Sequence, residues 1–154
     1  MDAIFSTPAA QTAAFYSLLV AWAVAAAVAV VVVPPMSRST PHPFGMRHAF
    51  VAALLVYPCI GALLYFTTVA RFASFSLGPE RLVLVFGAPH AARLEVPRAD
   101  IEDVLFGMAG KRAAAGCYIK FVTRSGGSYR SEALLQPLES CKVLRREILA
   151  QLAK

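Results

Sequence analysis

The sequence predicts a membrane protein of mixed class: a two-helix transmembrane hairpin followed by a small α+β domain dominated by short strands. Two observations bound the class. Of the 154 residues 58% are hydrophobic and the mean hydropathy is +0.60, above the roughly 45–50% apolar usage of ordinary soluble domains. The apolar excess is concentrated before Arg71, whereas the segment from Phe72 to Lys154 mixes charged, turn and apolar residues as a water-exposed fold does.

Residues 1–12 read as a short tail with no Lys or Arg and one acid, Asp2. Residues 13–33 are a first span of 21 residues without a charge; at about 1.5 Å per residue, about 20 helical residues cross a hydrocarbon layer of roughly 30 Å. A cleaved signal peptide fits less well, because it needs a basic start and an apolar core of only about 7–15 residues. Pro34-Pro35 is expected to end the helix, since neither ring nitrogen donates a hydrogen bond. Residues 34–48 then form a loop, and residues 49–70 a second uncharged span flanked by Arg47 and Arg71, with Pro58 predicting a kink near Leu54. Small residues on the first span (Ala21, Ala23, Ala25, Ala26, Ala27, Ala29) and on the second (Ala53, Gly61, Ala62) predict close packing of the hairpin, or of either span against another protein's helix.

Beyond Arg71 the period changes to strand-like alternation. Phe72–Leu77 and Arg81–Phe86 form a hairpin about Gly78-Pro79-Glu80, with Leu82, Leu84 and Phe86 on one face. Arg93–Pro97 is a third strand; Arg98–Asp103 a turn with Ile101 inward; Val104–Met108 a strand; Ala109–Gly116 a loop. Cys117–Thr123 and Ser128–Leu134 are strands joined at Ser125-Gly126-Gly127. Leu138, Cys141, Leu144, Ile148 and Leu152 then recur at steps of three or four, the apolar stripe of a helix from Pro137 onward. Such a helix covers the open end of a small curled sheet.

Charge bounds the partners. The chain carries +6, and 13 of its 15 Lys and Arg lie from Arg71 onward against 8 of its 9 acids. This surplus suits a domain beside anionic lipid headgroups, each nearby cation being attracted by about 1 kcal/mol. Without a basic run or interleaved aromatics, nucleic acid is not expected. Lys111-Arg112, on a loop of small residues, is the leading candidate contact, and Lys120, Arg124 and Arg130 around the following hairpin extend it.

Neither catalytic, cofactor-binding nor metal-binding residues are expected. His42, His48 and His90 are scattered; Asp100, Glu102 and Asp103 occupy a turn where carboxylates cap backbone amides; Gly107 and Gly110 lack the Lys-Ser/Thr element of a phosphate loop. Cys59, Cys117 and Cys141 are an odd number with no close pair, which argues against a disulfide framework or zinc spacing. Cys117 and Cys141 are expected as reduced thiols packed in the core.

The run Phe72 to Gly87, the stretch Leu94-Glu95-Val96-Pro97 with Ile101 and Val104 following, the Ser-Gly-Gly turn and the final helix resemble the bacterial membrane-anchored pleckstrin-homology-like (PH-like) domain proteins. Over residues 72–154 the resemblance implies a PH-like β-barrel or sandwich and a non-catalytic interaction or scaffold role. It also implies a bacterial inner membrane location, with a protein partner or a second copy of the chain. The alternative is an accessory subunit of a larger integral complex. The first hairpin turn, with one base and one acid, does not suit phosphoinositide binding. The positive-inside count is even, Arg38 and Arg47 in the loop against Arg71 and Arg81 beyond the second span. The expectation of a cytoplasmic domain therefore rests on the resemblance and on the thiols.

Overall fold

The computed structural model describes residues 1–36, 45–90, 93–109, 116–134 and 137–153. The chain divides into two units, one of Met1–Thr12 with Thr68–Lys154 and one of Ala13–Thr67. Residues 1–12, expected as a tail, thus belong to the β-rich unit.

In that unit a four-stranded antiparallel sheet has the order β1 (Asp2–Ile4), β2 (Ser74–Leu77), β3 (Arg81–Val85), β4 (Arg93–Pro97). β1 adds to β2 in the register Asp2↔Ser76 and Ile4↔Ser74. Its three residues carry too little alternation to mark a strand in the sequence. A three-stranded antiparallel sheet follows: β5 (Ile101–Met108), β6 (Cys117–Thr123) and β7 (Ser128–Arg130). β5 starts at Ile101 rather than Val104, with an irregularity between Ile101 and Asp103 that absorbs Glu102. The last strand is shorter than expected, but bridges continue at Ser131 and Leu134.

The two sheets do not close into a barrel. They meet at Phe72, whose N–H donates to the Arg130 carbonyl (3.0 Å) and whose carbonyl accepts from Glu132 N–H (3.0 Å). Around that seam lies the core. The Phe72 ring sits 5.8 Å from Phe121 and 6.4 Å from Phe86, and Phe75 5.3 Å from Phe121, the offset and edge-on arrangements that aromatic quadrupoles favour. Leu82, Leu84, Val96, Val104 and Ile119 complete it, the inward positions of alternating strands.

Helix α3 (Leu138–Leu152) closes one side. Cys141 and Ile148 are fully buried, and Leu138, Leu144 and Leu152 pack against the core, so the predicted stripe is the buried one. Arg145 Nε donates to the Val104 carbonyl, tying the helix to β5.

The cysteines require a correction. Cys117 and Cys141 form a disulfide, with Cα atoms 6.2 Å apart, inside the normal bridging range. Their separation of 24 residues hid the pair, because only folding brings the first residue of β6 under the first turn of α3. Cys59 is a free cysteine.

The other unit is helical. α1 (Pro8–Met36) begins five residues before the expected span and runs through Pro34 and Pro35. Its start obeys a local signal: Thr7 caps it through Oγ1, accepting from Ala10 N–H at 3.2 Å, and Pro8 takes the first helical position, where its missing donor costs nothing. The prolines lie in the last described turn, where each removes one i→i−4 donor without breaking the rest of the ladder. α2 (Met46–Leu64) continues into a π-helical turn, Tyr65–Val69, in which the Thr67 hydroxyl donates back to the Leu63 carbonyl (2.8 Å). Pro8–Met36 and Met46–Val69 are each long and apolar enough to cross a membrane.

The hairpin is not packed backbone to backbone. α1 and α2 touch where Tyr57 Oη donates to the Leu19 carbonyl (3.3 Å) and where Leu19 lies beside Gly61. Ala25, Ala26 and Ala29 instead face Ala49, Ala52 and Ala53 across an apolar groove. The small side chains that permit close approach do not compel it.

Candidate functional site: a basic strand face and the polar knot beside it

β6 alternates cleanly. Cys117, Ile119, Phe121 and Thr123 are buried, leaving Tyr118, Lys120 and Val122 on the opposite face. Lys120 pairs in register with Arg130 of β7 and with Leu105 of β5, so two of the predicted contact cations share one outer face. The Arg130 guanidinium lies 3.6 Å from the centre of the Tyr118 ring, a cation–π contact. The Tyr118 side chain in turn crowds Gly107, its register partner: a Cβ there would fall 2.6 Å from Oη and 2.8 Å from Cζ. The lack of a side chain at Gly107 therefore leaves the space that Tyr118 occupies beneath Arg130's contact. The Nε of Arg130 is buried with no hydrogen-bond partner among the described residues.

Arg124 lies apart, in the turn after β6, where its N–H donates to the Asp100 carbonyl (2.8 Å). Lys111 and Arg112 lie outside the described residues, as does His42.

Arg71, expected merely as an interfacial anchor, joins the cation set. Its backbone adjoins Arg130 through the Phe72 seam, and its guanidinium pKa is lowered, first by burial and then by repulsion from Arg130, with Glu132 acting the other way. Like charges at close range disfavour one another's charged form. Glu132 is held by a knot: Ser6 Oγ donates to its carboxylate, as does Gln11 Nε2 at 3.0 Å. Gln11, 2% exposed, also donates to the Arg71 carbonyl (3.1 Å) and accepts from Gly87 N–H (3.0 Å) through Oε1. Thr12 Oγ1 accepts from Ala88 N–H (2.9 Å). The knot thus joins Ser6 and the start of α1 to Arg71, to the Gly87-Ala88 segment and to Glu132. Ser6, Gln11 and Glu132 are ordinary polar residues in the sequence, and no local pattern marks them as partners.

Of the acidic residues expected in a turn, Asp100 accepts from Ser125 N–H (3.0 Å) and Ser125 Oγ (2.7 Å), fastening the β6–β7 turn, while Asp103 lies in β5, accepts from Val104 N–H (2.6 Å) and sits 3.6 Å from Arg145. On the β3–β4 surface Glu95 bridges Arg81 (2.8 Å) and Arg93 (3.3 Å); the hydrogen bond from Arg81 is the chief cause of its lowered pKa. Among the described residues no three His, Cys, Asp or Glu side chains are grouped to hold a metal ion.

No protein-family model, no curated protein and no solved structure matches this chain. What it does must therefore be argued from its own geometry.

Proposed function

We propose that the protein is a membrane-anchored, non-catalytic interaction module of the bacterial PH-like kind, held in the inner membrane by its two apolar helices. The observation that carries this is the pairing of β1 with β2. One sheet contains residues from before the first apolar helix and residues from after the second, so both ends of the hairpin are fastened into one folded domain. An anchor built this way holds the domain at the bilayer surface and raises its effective concentration there without strong intrinsic affinity for lipid. Strands in two sheets followed by one helix packed on their core support the PH-like reading.

The face bearing Lys120 and Arg130, with Arg71 adjoining it through the Phe72 seam, is the contact surface in this reading. Arg71 follows the apolar stretch by two residues, which keeps it within reach of headgroup phosphates as well as of an acidic protein surface.

A second reading, an accessory subunit of an integral complex, is favoured by the apolar groove between α1 and α2. Its alanines leave room for a further helix.

Purification of the full chain from membranes in mild detergent tests both. A partner recovered in fixed stoichiometry, and lost when Lys120 and Arg130 are replaced by alanine, supports the first. A partner retained by that variant but lost on Ala26→Leu and Ala53→Leu supports the second. A chain that repeatedly emerges alone and monomeric sinks both.

A further inference from the structure

We infer that the β-rich domain lies on the oxidising side of the membrane, facing away from the cytoplasm, with Cys117–Cys141 a permanent structural disulfide. This rests on the two-span reading above and replaces the expected cytoplasmic placement, whose thiol argument the disulfide removes.

The bond itself is the first observation. It joins the start of β6 to α3, and both cysteines are fully buried. Cys117 also exchanges backbone hydrogen bonds with Leu134 in both directions, at 2.9 and 2.7 Å, and pairs with Met108 of β5 on its other side, so the strand is fixed on both edges. Cysteines placed this way carry a structural bond, since thiol–disulfide exchange needs access to a sulfur. Cytoplasmic thiol pools keep cysteines reduced, whereas exported domains close such pairs. In forming, the two thiols lose two electrons and two protons to a disulfide-bearing oxidant of that compartment, which is left as a dithiol.

Charge around the first span is the second, independent observation. The twelve residues before it carry no Lys or Arg and one acid, while residues 34–48 carry Arg38 and Arg47. The first span usually dominates orientation, and the loop richer in Lys and Arg stays in the cytoplasm. Arg71 and Arg81 beyond the second span made the overall count even, but they belong to a long domain, and long domains translocate largely regardless of charge. Pairing of β1 with β2 then completes the geometry: residues 2–4 and 74–77 share one sheet, so both ends of the hairpin leave the membrane on the same side.

The test uses the full chain produced in a bacterial host, with thiols trapped by a maleimide-polyethylene glycol reagent after acid quenching and denaturation. One adduct, on Cys59, is expected without reductant and three after reduction; Cys141→Ser should raise the unreduced count from one to two, a readout that holds whether or not that variant folds. Fused after Lys154, alkaline phosphatase should be active and green fluorescent protein dark. Three adducts without reductant, or a fluorescent fusion with inactive phosphatase, overturns the inference. Alkaline carbonate extraction separates the two levels: a chain that stays in the membrane pellet yet shows those results refutes the orientation alone, whereas a chain released to the supernatant refutes the membrane reading on which it rests.

Discussion

The two units solve opposite problems. In the β-rich unit, Phe72, Leu82, Leu84, Ile119, Phe121 and Ile148 are removed from solvent by one another. In the helical unit, Val20, Trp22, Val24, Leu54, Leu55 and Leu63 remain exposed and α1 meets α2 at few points. The first is held by internal packing, at roughly 25 cal/mol per Å² of apolar surface buried. The second has satisfied its backbone within each helix and left its side chains to the surroundings, the condition a bilayer imposes. A substitution should thus be costly where neighbours define the site and nearly silent where surrounding apolar matter does.

Phe72→Ala is the severest way to break the first unit. It empties the ring cluster at the seam where the two sheets meet, and a loss of about 3–5 kcal/mol is expected. Denaturant unfolding of the detergent-solubilised full chain, followed by near-ultraviolet circular dichroism, should show it, with the helical signal of α1 and α2 unchanged.

Next is the disulfide. Cys141→Ala frees a 24-residue separation, for which loop-closure entropy gives about 3.5 kcal/mol. The same unfolding curve should shift by that amount, and added reductant should then move the variant no further.

Gln11→Ala strips a buried side chain from the Arg71 carbonyl, the Gly87 amide and Glu132, and should cost about 1–3 kcal/mol through the unpaired buried groups. Faster amide hydrogen exchange at Gly87 would locate the damage. Ala26→Leu, by contrast, fills groove space in the helical unit and should alter the stability of the β-rich unit by less than about 0.5 kcal/mol. A larger change would show that the units are not energetically separate.

The smallest effect is electrostatic. The pKa of Glu95 is lowered in the folded state, chiefly by the Arg81 hydrogen bond, so its contribution is present above the ordinary carboxylate pKa and fades as the pH falls through the lowered one. Glu95→Gln should therefore separate slightly from the parent in thermal midpoint near neutrality and converge with it in acid, the difference staying small because the pair is exposed.

Much of this architecture was legible in the sequence. Arg93–Pro97, Cys117–Thr123 and the stripe of α3 appear where alternation and helical periodicity placed them, because each is a local pattern with one apolar face. The helix boundaries were less so: Thr7-Pro8 starts α1 ahead of Ala13 through a cap whose signal is two residues long, shorter than the apolar run that marks the span. Of the candidate contact residues, Lys120 and Arg130 could be placed on a strand face from alternation, whereas their union with Arg71 needed the seam at Phe72.

By itself, then, the sequence determined two apolar helices, the strand alternation and the closing helix, since periodicity and hydropathy are properties of neighbouring residues. Tertiary structure alone decided three things. It recruited Asp2–Ile4 as an edge strand, brought Cys117 to Cys141, and laid Arg130 over Tyr118 above Gly107. Each of these joins residues whose short-range context carries no mark of the other, and pairing at a distance is settled only when a shared core fixes which surfaces meet.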